Sequence, residues 1–545
     1  MSERERVGMV VSPAEIDVFE FELDKGVAVC KGEYVVVPHP VQEGTYYLCR
    51  VFSGRAENPV FTPRGAGTGL ASGGAVALGK RQESVVLRAE VLGYPIEDNN
   101  GRTRVMWPDF PPSPGDPVLR ATRQDVEAFR LSQEGFLIDV LEDPYAKLDI
   151  PLDLNWLTKG HMAVFGQTRS GKSTFVLSLI LKAEEQGEGC GVRPRFLIFD
   201  RYGEYGPVLE RYPWAKVVDY RELLRPEDIT EHAVVSMFGL PTRRKAGEVF
   251  AKKVIEYLRR GQGLPEPGLL AYEAAQLASR NRDRIEEEIM RALAEHKREY
   301  EKLKGLAEGG DRPSVDELVS EHPVVCVDFS TDMDIELQQS LLAALVRDGF
   351  ALAVGHKGSR FSCVYVIEEA MFYAPEKGAP IYGNPADTRQ ALTAALSQAG
   401  GWNLGFLLIS QRPAYVDKSV LSQCNTVVCF RMRMRADHEQ VASVTGYPVR
   451  RIAELVSNLP DHRALLIGPA NPMPFPVIVE TKIVDYPRKA TKSPVEVLRE
   501  MSNRRVRVAE EPAARRARPE AEARERPTPV EREEGRNVEL FYEVR

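Results

Sequence analysis

A chain of 545 residues, 43% hydrophobic and 28% charged, with a formal net charge of −7, is too long for one core and calls for about three or four domains. The acidic balance excludes a protein coated in positive charge, though not one that meets nucleic acid through a local ring or channel. No apolar run reaches the ~20 residues needed to cross a bilayer, and the opening MSERERVGMVV lacks a signal-peptide core. A cytoplasmic protein without membrane contact is therefore expected. Of the seven cysteines, Cys30, Cys49, Cys190, Cys326 and Cys363 stand singly in apolar surroundings, so buried thiols are expected rather than disulfides. Cys424 and Cys429 lack the partner spacing of a zinc site.

Residues 1–125 read as an all-β module. Short alternating or β-branched runs recur at Val7–Val11, Phe19–Leu23, Glu33–Val37, Tyr46–Val51 and Val85–Leu92, with a tail near Val118. A small closed barrel is the natural way to hide so many strand edges. The glycine-rich Pro63–Gly69 is not followed by Lys-Ser/Thr and reads as a mobile loop. A proline-rich hinge, Pro108 to Pro117, leads into a mixed stretch that opens a core domain over 126–240.

That core opens with the apolar run Met162-Ala163-Val164-Phe165 and then Gly166-Gln167-Thr168-Arg169-Ser170-Gly171-Lys172-Ser173-Thr174, followed by apolar Phe175 to Leu181. This is G-x-x-x-x-G-K-[ST] between strand and helix, the context of a phosphate loop. Gly166 and Gly171 allow successive N–H groups to point into one concavity, and the helix starting near Lys172 adds its positive end. Lys172 then reaches the β- and γ-phosphates of a nucleoside triphosphate, and the Ser173 hydroxyl takes one Mg²⁺ position. Next comes Phe196–Asp200, a buried strand ending in an acid, and the alternation of strand and helix predicts a doubly wound parallel sheet with its ligand at the strands' carboxyl ends.

Residues 241–311 are long, charged and helix-forming, and read as a helical insertion. Arg243, Arg244, Lys245, Lys252, Lys253, Arg259 and Arg260 fall on its first helix, where a solvated face is favoured over phosphate contact. The core resumes over 312–480 with strands at Val324–Phe329, Phe361–Ala370, Leu404–Ser410 and Thr426–Met432. In Val366-Ile367-Glu368-Glu369 the two acids divide the work, Glu368 holding the Mg²⁺ shell and Glu369 orienting or deprotonating the attacking water. Gln411, in Ser410-Gln411-Arg412-Pro413, is placed to sense the γ-phosphate or its water. Arg431, Arg433 and Arg435 alternate on a predicted strand and so share one side, where the readings are contact with a nucleic-acid phosphate backbone, a charge-protected edge or a subunit interface. The C-terminal extension, 481–545, contains the Arg/Glu/Ala/Pro-rich stretch 503–536, read as a flexible strap, before a docking segment at 537–545.

The sequences HMAVFGQTRSGKST (161–174), DRYGEY (200–205), VIEEA (366–370), SQRP (410–413) and LSQCNT (421–426) together resemble the HerA branch of the HerA/FtsK superfamily of ring-shaped DNA-pumping ATPases. The resemblance covers about residues 1–480 and implies a RecA-like core with a parallel sheet, an N-terminal β-barrel, a helical insertion and a partly disordered C-terminal arm. It further implies a homohexamer around duplex DNA, driven by ATP and Mg²⁺, working with a NurA-type nuclease in end resection and recombinational repair. Two departures stand out: Ala399–Asn403 occupies the place of the family's basic pair, and Met371 that of its usual histidine. Arg389, Arg412 and Arg431 are the substitute candidates for a trans-acting finger, Arg412 being grouped with Lys172, Glu369 and Gln411 as catalytic. Two other readings stay open: a conjugation- or secretion-type motor, and a slow nucleotide-gated scaffold for a nuclease.

Overall fold

The computed structural model describes residues 4–58, 83–97, 103–133, 135–240, 245–307, 312–331, 334–381, 383, 385–485, 495–499 and 501. The predicted loop at Pro63–Gly69, Arg243 and Arg244, and the predicted strap and docking segment lie outside these residues.

Strands β1 (Arg6–Ala14), β2 (Val18–Leu23), β3 (Tyr34–Pro38), β4 (Tyr46–Glu57), β5 (Ser84–Glu97), β6 (Thr103–Met106) and β7 (Pro117–Arg120) form one sheet in the order β2-β1-β7-β3-β4-β5-β6. An additional antiparallel pairing of β2 with β5 closes it into the expected barrel. Closure removes the unpaired N–H and C=O groups that open edges would expose. Alternation explains the barrel core: Phe19 and Phe21 on β2 point inward with Val35, Val37 and Val51, while Glu20 and Glu22 lie between them on the other face.

Strands β8 (Leu137–Ile138) and β11 (Leu152–Asp153) pair as a small antiparallel ribbon. The second sheet has eleven strands in the order β10-β9-β20-β19-β18-β12-β17-β16-β13-β15-β14. Its members are β9 (Leu141–Asp143), β10 (Leu148–Asp149), β12 (Met162–Phe165), β13 (Phe196–Asp200), β14 (Ala215–Asp219), β15 (Val324–Asp328), β16 (Cys363–Ile367), β17 (Leu404–Ser410), β18 (Thr426–Phe430), β19 (Arg463–Ile467) and β20 (Val477–Thr481). From β18 to β14 every neighbour is parallel, as near-continuous apolar runs require when both faces are covered. β19, β20, β9 and β10 continue it antiparallel. Alternation along β12 feeds two cores: Met162 and Val164 pack with the helix Lys172–Cys190, Ala163 and Phe165 with the layer holding the helix Ile335–Gly355.

Between β14 and β15 the chain inserts the helices Lys245–Arg259, Pro267–Gln276, Arg282–Glu295 and Lys297–Ala307. Val249, Phe250, Val254 and Leu258 form the buried stripe of the first, a spacing that puts them on one face. Its basic residues are laced by local ion pairs: Lys245 and Lys252 with Glu248, Lys253 with Glu256 and Glu273. This is the solvated-face arrangement.

The barrel is bound to the core through a buried charge cluster. Fully buried Arg50 donates to Glu90 and to the Pro476 carbonyl, and Arg451 approaches Glu90 at 3.2 Å while its guanidinium stacks 3.3 Å from the Phe52 ring centroid. The Tyr447 hydroxyl closes the cluster, donating to Glu90 at 2.7 Å.

The cysteines depart in part from expectation. All seven are free, but Cys30 and Cys190 are exposed, because the first sits beside a turn and the second ends a helix at the surface. Among the described residues no helix is long and apolar enough to cross a membrane. A second compact unit, Arg488–Arg545, is helical at residues 495–499 and 501.

Candidate nucleotide site

The phosphate loop connects the carboxyl end of β12 to the helix Lys172–Cys190. Gly166 (φ +153°) and Gly171 (φ +115°) occupy backbone conformations that side chains avoid. Space forbids substitution as well: a Cβ on Gly166 would lie 2.6 Å from Phe430 Cβ, and one on Gly171 2.9 Å from His462 Cα. The loop is held from the neighbouring strand connections. The Gln167 amide donates to the Arg431 carbonyl at 2.9 Å and the His462 amide to the Ser170 carbonyl at 2.9 Å. Ser170 braces it internally, its hydroxyl donating to the Gln167 carbonyl at 2.7 Å. Gly171 supplies no side-chain cap, so the amides of the helix's first turn are not claimed by one.

Lys172 is buried, and its Nζ donates to the carbonyls of Gly166 (2.8 Å) and Gln167 (3.2 Å). Burial pushes its pKa down, against the opposing charges of Glu369, Glu204 and Glu368. Lys172 thus lies among the acids that the sequence placed about 200 residues away.

Glu368 and Glu369 immediately follow β16, two strands from the phosphate-loop strand. Glu369 adopts φ +49° and is buried, accepting the Gln411 amide at 3.3 Å. Burial raises its pKa, and Lys172 and the Gln411 hydrogen bonds pull it back. Glu368 accepts the Tyr202 amide at 3.2 Å; burial, then the charge of Asp200, hold its pKa well above the carboxylate range. Asp200 ends β13 and accepts the amides of Glu204 (3.0 Å), Tyr205 (2.8 Å) and Gly206 (3.0 Å). Its pKa is raised by burial too, and a hydrogen bond couples it to Glu368. Two desolvated carboxyls side by side raise one another's pKa, and a cation placed between them would relieve that repulsion.

Gln411, just past β17, extends to the phosphate loop itself: its Oε1 accepts the Thr168 hydroxyl at 2.7 Å. Ser173 lies beside the buried Tyr205 phenol, which is also next to Glu368. Lys172, Ser173, Glu368, Glu369 and Gln411 therefore gather at the carboxyl ends of β12, β16 and β17. Arg169 (φ +63°) and Thr168 are exposed on the loop, and Thr174 enters the helix behind Ser173.

The arginines fall out differently. Arg412 donates to buried Asp437 at 3.1 Å and stacks 4.5 Å from the Tyr415 ring centroid. Arg431 is ion-paired with Asp461 at 2.7 Å, and Arg389 is half-exposed, 3.9 Å from Asp417. Arg431, Arg433 and Arg435 do not alternate along a strand, as the sequence suggested: β18 stops at Phe430, and Arg435 is already the first residue of the helix Arg435–Thr445. The cause is local. The Arg431 carbonyl is taken by the phosphate loop and the Met432 carbonyl by His438, so the backbone leaves the sheet. Arg433 is exposed, while Arg435 pairs with Glu439 within its own helix.

Sequence reading gave no site role to Asp200, Tyr205 or His462. An acid ending a buried strand was the visible signal for the first. Nothing local marks His462, which reaches the loop from the β18–β19 connection.

A strand–glycine loop–helix unit flanked by strand-end carboxylates on a parallel sheet defines the core of a P-loop nucleoside triphosphatase. Residues 138–349 match the family model described as the central domain of helicase HerA. The chain is 20% identical over 409 residues to a probable helicase of Methanocaldococcus jannaschii, covering 72% of this chain and 76% of that protein. It is 22% identical over 395 residues to the DNA double-strand break repair helicase HerA of Saccharolobus solfataricus, covering 69% and 74%. A solved structure of the bacterial conjugative coupling protein TrwB superposes with a TM-score of 0.45 at 13% identity, over 68% of this chain and 94% of that one. In residues 138–349 the chain is thus similar to the central domain of helicase HerA.

Proposed function

We propose that this protein is an ATP-dependent DNA translocase or helicase that works as a homohexameric ring, in DNA end resection with a NurA-type nuclease. The observation that supports it is the meeting of Lys172, Glu369 and Gln411, with Thr168 bonded to Gln411. The loop amides and Lys172 hold the triphosphate, and Glu369 takes a proton from the attacking water. Ser173 and Glu368, with Asp200 behind it, are the residues that would hold Mg²⁺. The fit rests on the donor set, a hydroxyl near two buried carboxyls whose charge a divalent cation would balance. When bound, Mg²⁺ neutralises charge on the phosphates. Gln411, tied to the loop that holds the phosphates, is set to report their state to β17.

Homology to proteins named as DNA repair helicases supports the DNA substrate. A slow nucleotide-gated scaffold is favoured by one observation: Arg412 and Arg431, two of the candidate fingers, are tied to acids of their own chain. Steady-state ATP turnover with and without linear duplex separates the readings. A motor should accelerate severalfold with duplex; equal rates would leave only the scaffold.

A further inference from the structure

At the end of the core sheet opposite the phosphate loop, the segments that enter β13 and β16 enclose a cavity of about 330 Å³. Three arginines line it, Arg193, Arg195 and Arg360, together with the hydroxyl-bearing Thr158, Ser359 and Ser362. No carboxylate of a described residue lines it. The sheet register makes the cluster: β13 and β16 are parallel neighbours, and the Val364 amide donates to the Arg195 carbonyl at 2.8 Å, which sets Arg195 beside the run Arg360–Ser362. Gly358 (φ +65°) turns the chain into that run, and its carbonyl accepts from Asn403 at 2.8 Å, which fixes the turn.

Charge around the cavity is only partly neutralised. Arg195 shares Asp316 at 3.3 Å, both side chains being partly exposed. Arg193 and Arg360 are exposed and lie in no ion pair within 4 Å among the described residues, though the charge of Arg193 acts on the buried Glu184 carboxyl. Glu184, Glu185 and Glu188 face a neighbouring cavity that Arg193 also borders. Three arginines lining a polar hollow whose walls hold no acid match a phosphate ester, which guanidinium groups bind through paired N–H donors. In a protein whose formal net charge is −7, such a local concentration of positive charge is where a polyanion finds a foothold.

We propose that the Arg193–Arg195–Arg360 cavity is a phosphate-binding site that holds the backbone of a nucleic-acid duplex, separate from the nucleotide site. It rests on the reading of the protein as a DNA motor for its ligand, not for its chemistry, and replaces the arginine row that the fold dispersed.

The test uses the full chain and the double variant Arg193→Gln/Arg360→Gln, chosen because neither arginine holds a structural ion pair. Binding of a labelled 30-base-pair duplex is followed across a salt series, and binding of inorganic pyrophosphate by calorimetry. The expected result is about tenfold weaker duplex binding, with the salt slope reduced by about 2, the contribution of two phosphate contacts. Basal ATP turnover without DNA should be unchanged, which separates this site from the nucleotide reading. Unaltered duplex binding with lost pyrophosphate binding would overturn the proposal, leaving only a site for a small phosphorylated anion. Both ligands binding as in the parent, or a parent chain that binds neither, would overturn the proposal.

Discussion

The Thr168 hydroxyl donates to Gln411 Oε1 at 2.7 Å, joining the phosphate loop to the end of β17 across 243 residues of sequence. With the Gln411 amide on Glu369 at 3.3 Å, this makes one hydrogen-bonded path from the loop to the acid. Thr168→Val keeps the shape and removes the donor. We expect roughly tenfold slower ATP turnover, about 1.4 kcal/mol. Because Gln411 carries the effect, Thr168→Val/Gln411→Ala should be no slower than Gln411→Ala alone. Additive losses in that cycle would show that the two residues act separately.

Glu369 and Lys172 face one another, so their variants should fail in different ways. Glu369→Gln should retain ATP and turn it over at least about a hundredfold more slowly, the usual scale of a lost general base. Lys172→Ala should lose nucleotide binding itself. Single-turnover and filter-binding measurements distinguish the two, and near-normal turnover by Glu369→Gln would refute the role given to that side chain.

His161 introduces a pH dependence of stability. Its Nδ1 accepts the Phe406 amide at 3.2 Å and its Nε2 donates to the Leu396 carbonyl at 3.0 Å, an arrangement suited to the neutral ring. Burial lowers its pKa from 6.5 to about 4. The unfolded chain therefore takes up a proton that the folded chain refuses. The contribution is intact above pH 6.5 and is lost as pH falls toward about 4, costing about 3 kcal/mol. Asn at position 161 tolerates the local φ of +51° and does not titrate. Denaturant midpoints at pH 7.5 and 4.5 should converge for His161→Asn more than for the parent; equal pH sensitivity would exclude this origin.

The barrel and the core depend on Glu90. It is the carboxylate that accepts from Arg50 and Tyr447 and pairs with Arg451 at 3.2 Å. Glu90→Gln leaves the fully buried Arg50 guanidinium without its counter-charge. We expect a loss of about 3–5 kcal/mol. Arg50→Met/Glu90→Leu should recover much of it, since an apolar pair removes both desolvation penalties. Equilibrium unfolding measures both, and a single variant within 1 kcal/mol of the parent would contradict the ion-pair account.

Much of the site was legible because phosphate binding and metal binding are local demands. A glycine loop needs particular φ angles at Gly166 and Gly171 and a lysine next in line, and these appear as consecutive letters. Paired acids at the end of an apolar run are equally visible in Glu368 and Glu369. Asp200 was seen as a strand-end acid but not as the partner of Glu368, since only strand order makes β13 and β16 neighbours. The arginine row failed for a related reason: alternation signals a strand only while the backbone stays in the ladder, and the carbonyls of Arg431 and Met432 are claimed elsewhere.

By itself the sequence determined six of the seven barrel strands (all but β6), the parallel-sheet core and the identity of the loop lysine and the two glutamates, because periodicity, turn chemistry and short motifs are set by neighbouring residues. Tertiary structure alone decided the Thr168–Gln411 bond, the Asp200–Glu368 pair, the His462 contact on the loop and the arginine cavity. Each of these joins residues from separate strands or strand ends, and which ends meet depends on sheet order and register, which sequence spacing does not encode.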